Sequence, residues 1–175
     1  MNFKYVIVAF FGVVLVASNL PKNIKKKVDK EIKATYNVET HKLNALTFDA
    51  SITNTLPSKF EEDNLFQIIK NDEVIGYAYI SKAPSKTDEF DYLVLFDKDF
   101  IIKKSKVLIY REDYGSEIGS KRWLKQLVGK TKEDTLTYGD NIAAISGATI
   151  SVKSMTNAIN DLLKSIKILH QKDFL

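Results

Sequence analysis

The chain has 175 residues, 45% hydrophobic and 11% aromatic, enough for one domain with a sizeable core and a short appendage. It has no cysteine, which excludes disulfides, thiolate metal sites, cysteine catalysis and lipidation at cysteine. Its net charge of +4 is concentrated in residues 1–33, and the near-neutral remainder excludes a nucleic-acid footprint spread over a folded surface.

Tyr5 to Ala17, YVIVAFFGVVLVA, is an uncharged apolar run. It is short for a bilayer span and has the length of the hydrophobic region of a signal peptide. Val16-Ala17-Ser18 supplies a small-residue cleavage site, so residues 1–18 read as a signal peptide or an N-terminal membrane anchor. The lysines after this run outnumber Lys4 before it, which the positive-inside rule opposes. Length and position still favour export, to the periplasmic or extracytoplasmic face of a membrane.

Residues 19–45 read as a basic linker or helix. Ile24, Val28, Ile32 and Tyr36 recur every four residues, a thin apolar stripe among Lys22, Lys25, Lys26, Lys27, Lys30 and Lys33. Two readings stand: a juxtamembrane helix beside anionic lipid, or a solvated helix packed lightly on the domain.

The domain proper is expected over residues 46–175. Leu65–Ile69 and Val74–Ile80 flank Asn71-Asp72 and read as a hairpin. Phe90–Phe96 and Phe100–Tyr110, either side of Asp97-Lys98-Asp99, read as a second. Val107 and Ile109 alternate with Leu108 and Tyr110, as a sheet covered on both faces requires. In SKRWLKQLVGK, Trp123, Leu124, Leu127 and Val128 predict one face of a helix that Gly129 ends. Met155, Ile159, Leu162, Ile166 and Leu169 predict the buried stripe of a long C-terminal helix. The class is α+β: an antiparallel sheet of about four or more strands, packed by a Trp-bearing helix and the C-terminal helix.

The chemistry-bearing signals are few. His41 and His170 are far apart without ligand-like neighbours, so they read as surface residues and no metal site is expected. Glu61-Glu62-Asp63 and Glu133-Asp134 read as solvated loops. There is no Gly-x-Gly-x-x-Gly, Walker-type loop or nucleophile elbow, and no catalytic residue is assigned. An enzyme acting alone on a small substrate is therefore poorly supported.

The remaining signal is Ser146-Gly147-Ala148-Thr149 at the start of the last helix. Gly147 permits a positive φ, and Ala148 permits close approach. A helix start offers unpaired N–H groups and the positive end of the macrodipole, so it binds phosphate. Serine and threonine also cap helices without any ligand. On these residues alone, a cap and a phosphate site both stand.

Ser146-Gly147-Ala148-Thr149, followed by Ile150-Ser151 and a helix, resembles the flavinylation motif of the FMN-binding domain family. YREDYGSEIGSKRWLKQLVGK, Tyr110 to Lys130, is similar to that family's segment in which a turn leads into a Trp-bearing helix. GYAYISKAPSKTDEFDYLVLFD, Gly76 to Asp97, resembles the strands of its small members. The family includes the C subunit of the sodium-translocating NADH:quinone reductase and the G subunit of the Rnf complex.

The resemblance implies one FMN per chain, joined through a phosphoester to the Thr149 hydroxyl by a flavin transferase that uses FAD and magnesium. It implies an exported flavoprotein that passes electrons to membrane or extracytoplasmic redox proteins. Ser146, Gly147, Ala148 and Ser151 would then cradle the phosphate. Tyr114, Gly115, Glu117 and Ile118 match the flavin-facing loop. Trp123 would stack on the ring or belong to the core, and Lys121 would favour an anionic flavin or be solvated surface. The family motif usually carries Asp where this chain has Ala143; Asp140 is the nearest acid. That departure keeps two alternatives open: a module binding FMN or another nucleotide non-covalently, and a cofactor-free envelope interaction domain.

Overall fold

The computed structural model describes residues 20–175. The signal or anchor expected over residues 1–18 lies outside them. Among the described residues, no helix is long and apolar enough to cross a membrane.

Helix α1 (Lys22–Tyr36) ends where Asn37 turns left-handed at φ 54 and donates to the Lys33 carbonyl. Its stripe is buried: Ile24, Val28 and Ile32 pack with Phe66, Ile68, Ala78, Leu93 and Leu95. Each such side chain contributes about 1.5–3 kcal/mol. Tyr36 donates to the Phe96 carbonyl at 2.5 Å. It lies across Gly76, where a Cβ would come within 2.7 Å of the ring. The helix is thus a full layer of the domain, more than the light packing expected, and residues 22–45 belong to the packed body.

The sheet is an antiparallel meander in the order β1 (Lys42–Ala45), β2 (Leu65–Lys70), β3 (Glu73–Pro84), β4 (Glu89–Phe96) and β5 (Ile102–Ile109). A one-turn helix, α2 (Ala50–Thr53), lies between β1 and β2. Asn71 and Asp72 both have positive φ, 51° and 60°, which suits a two-residue hairpin turn. Between β4 and β5, Asp97 Oδ1 accepts from the amides of Asp99 (3.0 Å) and Ile101 (2.9 Å). Both expected hairpins are present. β1 is an additional edge strand, held by pairing Lys42–Ala45 with Phe66–Ile69.

Beyond the sheet come a 3₁₀ turn (Ser116–Gly119), α3 (Lys121–Leu124), a second 3₁₀ turn (Lys125–Leu127) and α4 (Thr149–Gln171). α4 buries Val152, Met155, Ile159, Leu162, Leu163, Ile166 and Leu169 against Leu65, Tyr79, Phe90, Tyr92, Val94 and Phe96. β4 is therefore apolar on both sides, facing α1 with Leu93 and Leu95 and α4 with the alternate residues. The architecture is α1, sheet, α4, an α+β fold.

Two expectations are corrected. The Trp-bearing helix is one α turn that tightens to 3₁₀, and Val128 follows it in extended backbone. Val128 therefore leaves the face of Trp123, Leu124 and Leu127 and is 47% exposed. His41 is no surface residue: its side chain is 5% exposed, with Nε2 3.8 Å from Asp29 of α1.

Candidate functional site

β5 runs directly into Tyr110, Arg111 and Glu112, and each ties the following loop to a different element. The Tyr110 hydroxyl donates to the Tyr114 carbonyl at 2.9 Å and lies 3.0 Å from the Ser151 hydroxyl in the first turn of α4. A phenol has one proton, already given to a carbonyl that only accepts, so Ser151 donates to Tyr110. Arg111 pairs with Asp91 and donates to the Glu89 carbonyl at 2.7 Å. Glu112 Oε1 accepts from Ser85 Oγ (2.6 Å), Thr87 N (2.7 Å) and Asp88 N (3.1 Å) in the β3–β4 turn. These bonds, Ser85's first, hold its carboxyl down at about 2.

The loop thus fixed meets the turn before α4. Gly115 has φ 86°, and a Cβ there would stand 2.7 Å from Tyr110 Oη, 3.5 Å from the Gly147 carbonyl and 3.6 Å from Ala148 Cα. Tyr114-Gly115 and Gly147-Ala148, 32 residues apart in sequence, are therefore neighbours. Gly147 has φ 81° with nothing within 4 Å of its would-be Cβ, so the turn is open on its outer side.

Helix α4 starts without a side-chain cap; its N-cap is Ala148. Its first N–H groups therefore lack an intrahelical acceptor. Ser146 and Thr149 are exposed, and neither hydroxyl enters a hydrogen bond among the described residues. The simple capping reading is thus not realised.

The other predicted residues divide. Tyr114 is 85% exposed, and Glu117 and Lys121 are also exposed. Ile118 is fully buried in the core, and Ser151 turns its hydroxyl inward at 3% exposure, leaving its N–H for the turn. Trp123 is 4% exposed and offers no open face for stacking. Its Nε1 donates to the Ala143 carbonyl at 2.7 Å, and the Ala143 N–H donates to Gln126 Oε1 at 2.8 Å. The position where the family carries Asp is thus pinned at both backbone groups. Tyr110, Glu112 and Gln126 carry no motif of their own; only their places after β5 and within the Trp segment mark them.

A cleft of about 610 Å³, lined by Pro21, Tyr79, Tyr92 and Asp161 among others, includes none of the residues expected to hold the cofactor. Among the described residues, no three His, Asp or Glu side chains gather to hold a metal.

The fit to an FMN phosphate is good. An uncapped 23-residue helix presents its N–H groups beside two free hydroxyls and an open glycine turn.

The fold is similar to the crystal structure of Shewanella oneidensis NqrC: TM-score 0.51, 18% identity, covering 74% of this chain and 69% of that one. No curated protein matches the chain. Residues 23–164 match the family described as FMN-binding domain, and the chain belongs to that family as an FMN-binding flavoprotein.

Proposed function

We propose that this protein is an exported, membrane-proximal electron carrier that holds FMN through a phosphoester on Thr149. The observation that supports this most is the free, exposed Thr149 hydroxyl at the uncapped start of α4, with its neighbour Ser146 equally free. Attachment joins the threonine oxygen to the FMN phosphorus, breaks the anhydride of an FAD donor, releases AMP and gives up the hydroxyl proton. A flavin transferase with magnesium supplies that step.

When bound, FMN supplies the redox chemistry, and the chain supplies position and charge. The N–H groups of residues 149–151 and the Ser146 hydroxyl would hold the phosphate. Ala148, 3% exposed, keeps the turn close to Gly115. Tyr114 and Glu117 would border the ring, and Lys121 would supply positive charge to it. Electron donors and acceptors are membrane or extracytoplasmic redox proteins, reached from an N-terminus anchored or exported through residues 1–18.

Ala143 favours a second reading, non-covalent binding, because the carboxylate usual in the family is missing. Denaturation separates the two. A covalent flavin leaves the unfolded chain yellow, and Thr149→Val abolishes the colour. Release of all colour from the unfolded wild type would establish the second reading.

A further inference from the structure

Helix α1 is amphipathic in an unusual balance. Its apolar stripe is fully used against the sheet, and Lys22, Lys25, Lys26 and Lys30 are all exposed on the other side. Those four span about 140° of the helix circumference. Both acids of α1 are paired: Asp29, within the lysine arc, with Lys33 of the same helix at 2.9 Å, and Glu31 with Lys104 of β5 at 2.6 Å. None of the four lysines has an ion-pair partner among the described residues. Lys103 of β5 extends the same face, with its ammonium 5.9 Å from the Tyr36 ring centroid.

Placement adds a second argument. The apolar run Tyr5–Ala17 ends three residues before Leu20, and Leu20 and Pro21 lead straight into α1. Leu20 and Pro21 border a cleft with Pro84, Glu89 and Asp91. Arg111 binds Glu89 and Asp91, so the chain enters at the end of the sheet that carries the Tyr110–Gly115 loop.

We propose that the lysine face of α1, continued by Lys103, rests on an anionic lipid surface and orients the domain there. The helix makes this contact by charge alone, because its apolar residues are committed to the core. α1 and α4 cover opposite faces of the sheet, so this contact leaves the Thr149 turn uncovered in the far layer. This builds on the proposed membrane-proximal placement but is independent of the flavin.

The test uses the full chain carrying Thr149→Val, so that flavin plays no part. It is placed in lipid nanodiscs of phosphatidylglycerol or of phosphatidylcholine, and exposed lysines are acetylated and mapped by mass spectrometry. Acetylation of Lys22, Lys25, Lys26 and Lys30 is expected to fall by about fivefold or more in the anionic discs and to recover at high salt. Lys164 and Lys172, exposed on the α4 side, should react equally in both. In the K25Q/K26Q/K30Q variant the protection of Lys22 should be lost. Equal acetylation of the four lysines in both lipids would overturn the proposal, as would equal protection of Lys164 and Lys172.

Discussion

The Tyr110 hydroxyl, at the end of β5, stands 3.0 Å from the Ser151 hydroxyl in the first turn of α4. Through that one oxygen, the sheet, the Tyr114 carbonyl and the start of α4 are joined. Tyr110→Phe removes both bonds. It should lower unfolding stability by about 1–2 kcal/mol in urea melts, more than Ser151→Ala, which removes one. It should also reduce flavin loading, because the loop would no longer be held against the turn.

The two positive-φ glycines of the site should respond differently. Gly115→Ala forces a left-handed alanine and a contact of 2.7 Å with Tyr110 Oη. Gly147→Ala meets no atom within 4 Å and carries only the backbone penalty, about 1–2 kcal/mol. Thermal melts of the two variants should rank Gly115→Ala as the more damaging.

Stability should fall with acid through two groups in different windows. Burial, outweighing Asp29, holds the His41 imidazole below its ordinary 6.5. The folded state favours neutral His41, so its contribution is present above 6.5 and is lost as pH falls through the lower folded value. Glu112, held at about 2 against an ordinary 4.5, stabilises above 4.5 and is lost between about 4.5 and 2. Urea melts should show Glu112→Gln narrowing its gap to the wild type only below pH 4.5.

Trp123 is the single tryptophan, and its indole N–H holds the Ala143 carbonyl. Trp123→Phe keeps an aromatic ring in the core but frees that carbonyl. It should destabilise by about 1–3 kcal/mol and slow flavin loading in a timed transferase assay. Ala143→Asp, on backbone already pinned, should speed loading without a comparable loss of stability.

Strands and the last helix were legible because their signals are local. Phe90–Phe96 is an apolar run, Asn71-Asp72 is a hairpin turn, and Met155 to Leu169 repeat with helical period. β1 was hidden because Lys42–Ala45 has no apolar run and is a strand only through pairing with β2. Val128 was misplaced because periodicity cannot show an α turn tightening to 3₁₀. His41 burial depends on α1 covering it, which no window of sequence reports. In the site, Thr149, Gly147 and Gly115 stood out by motif. The Tyr110–Ser151 bond, the Glu112 clasp and the Trp123–Ala143–Gln126 chain arise from residues far apart in sequence.

The most direct test is the mass of the denatured protein after production with a flavin transferase and magnesium, compared with Thr149→Val made identically. The comparison cancels any processing of the N-terminus. The account predicts that the wild type alone gains FMN less one water, mapped to the peptide containing Thr149. A wild-type chain with no added mass would contradict covalent attachment and point to Ala143 as the missing determinant.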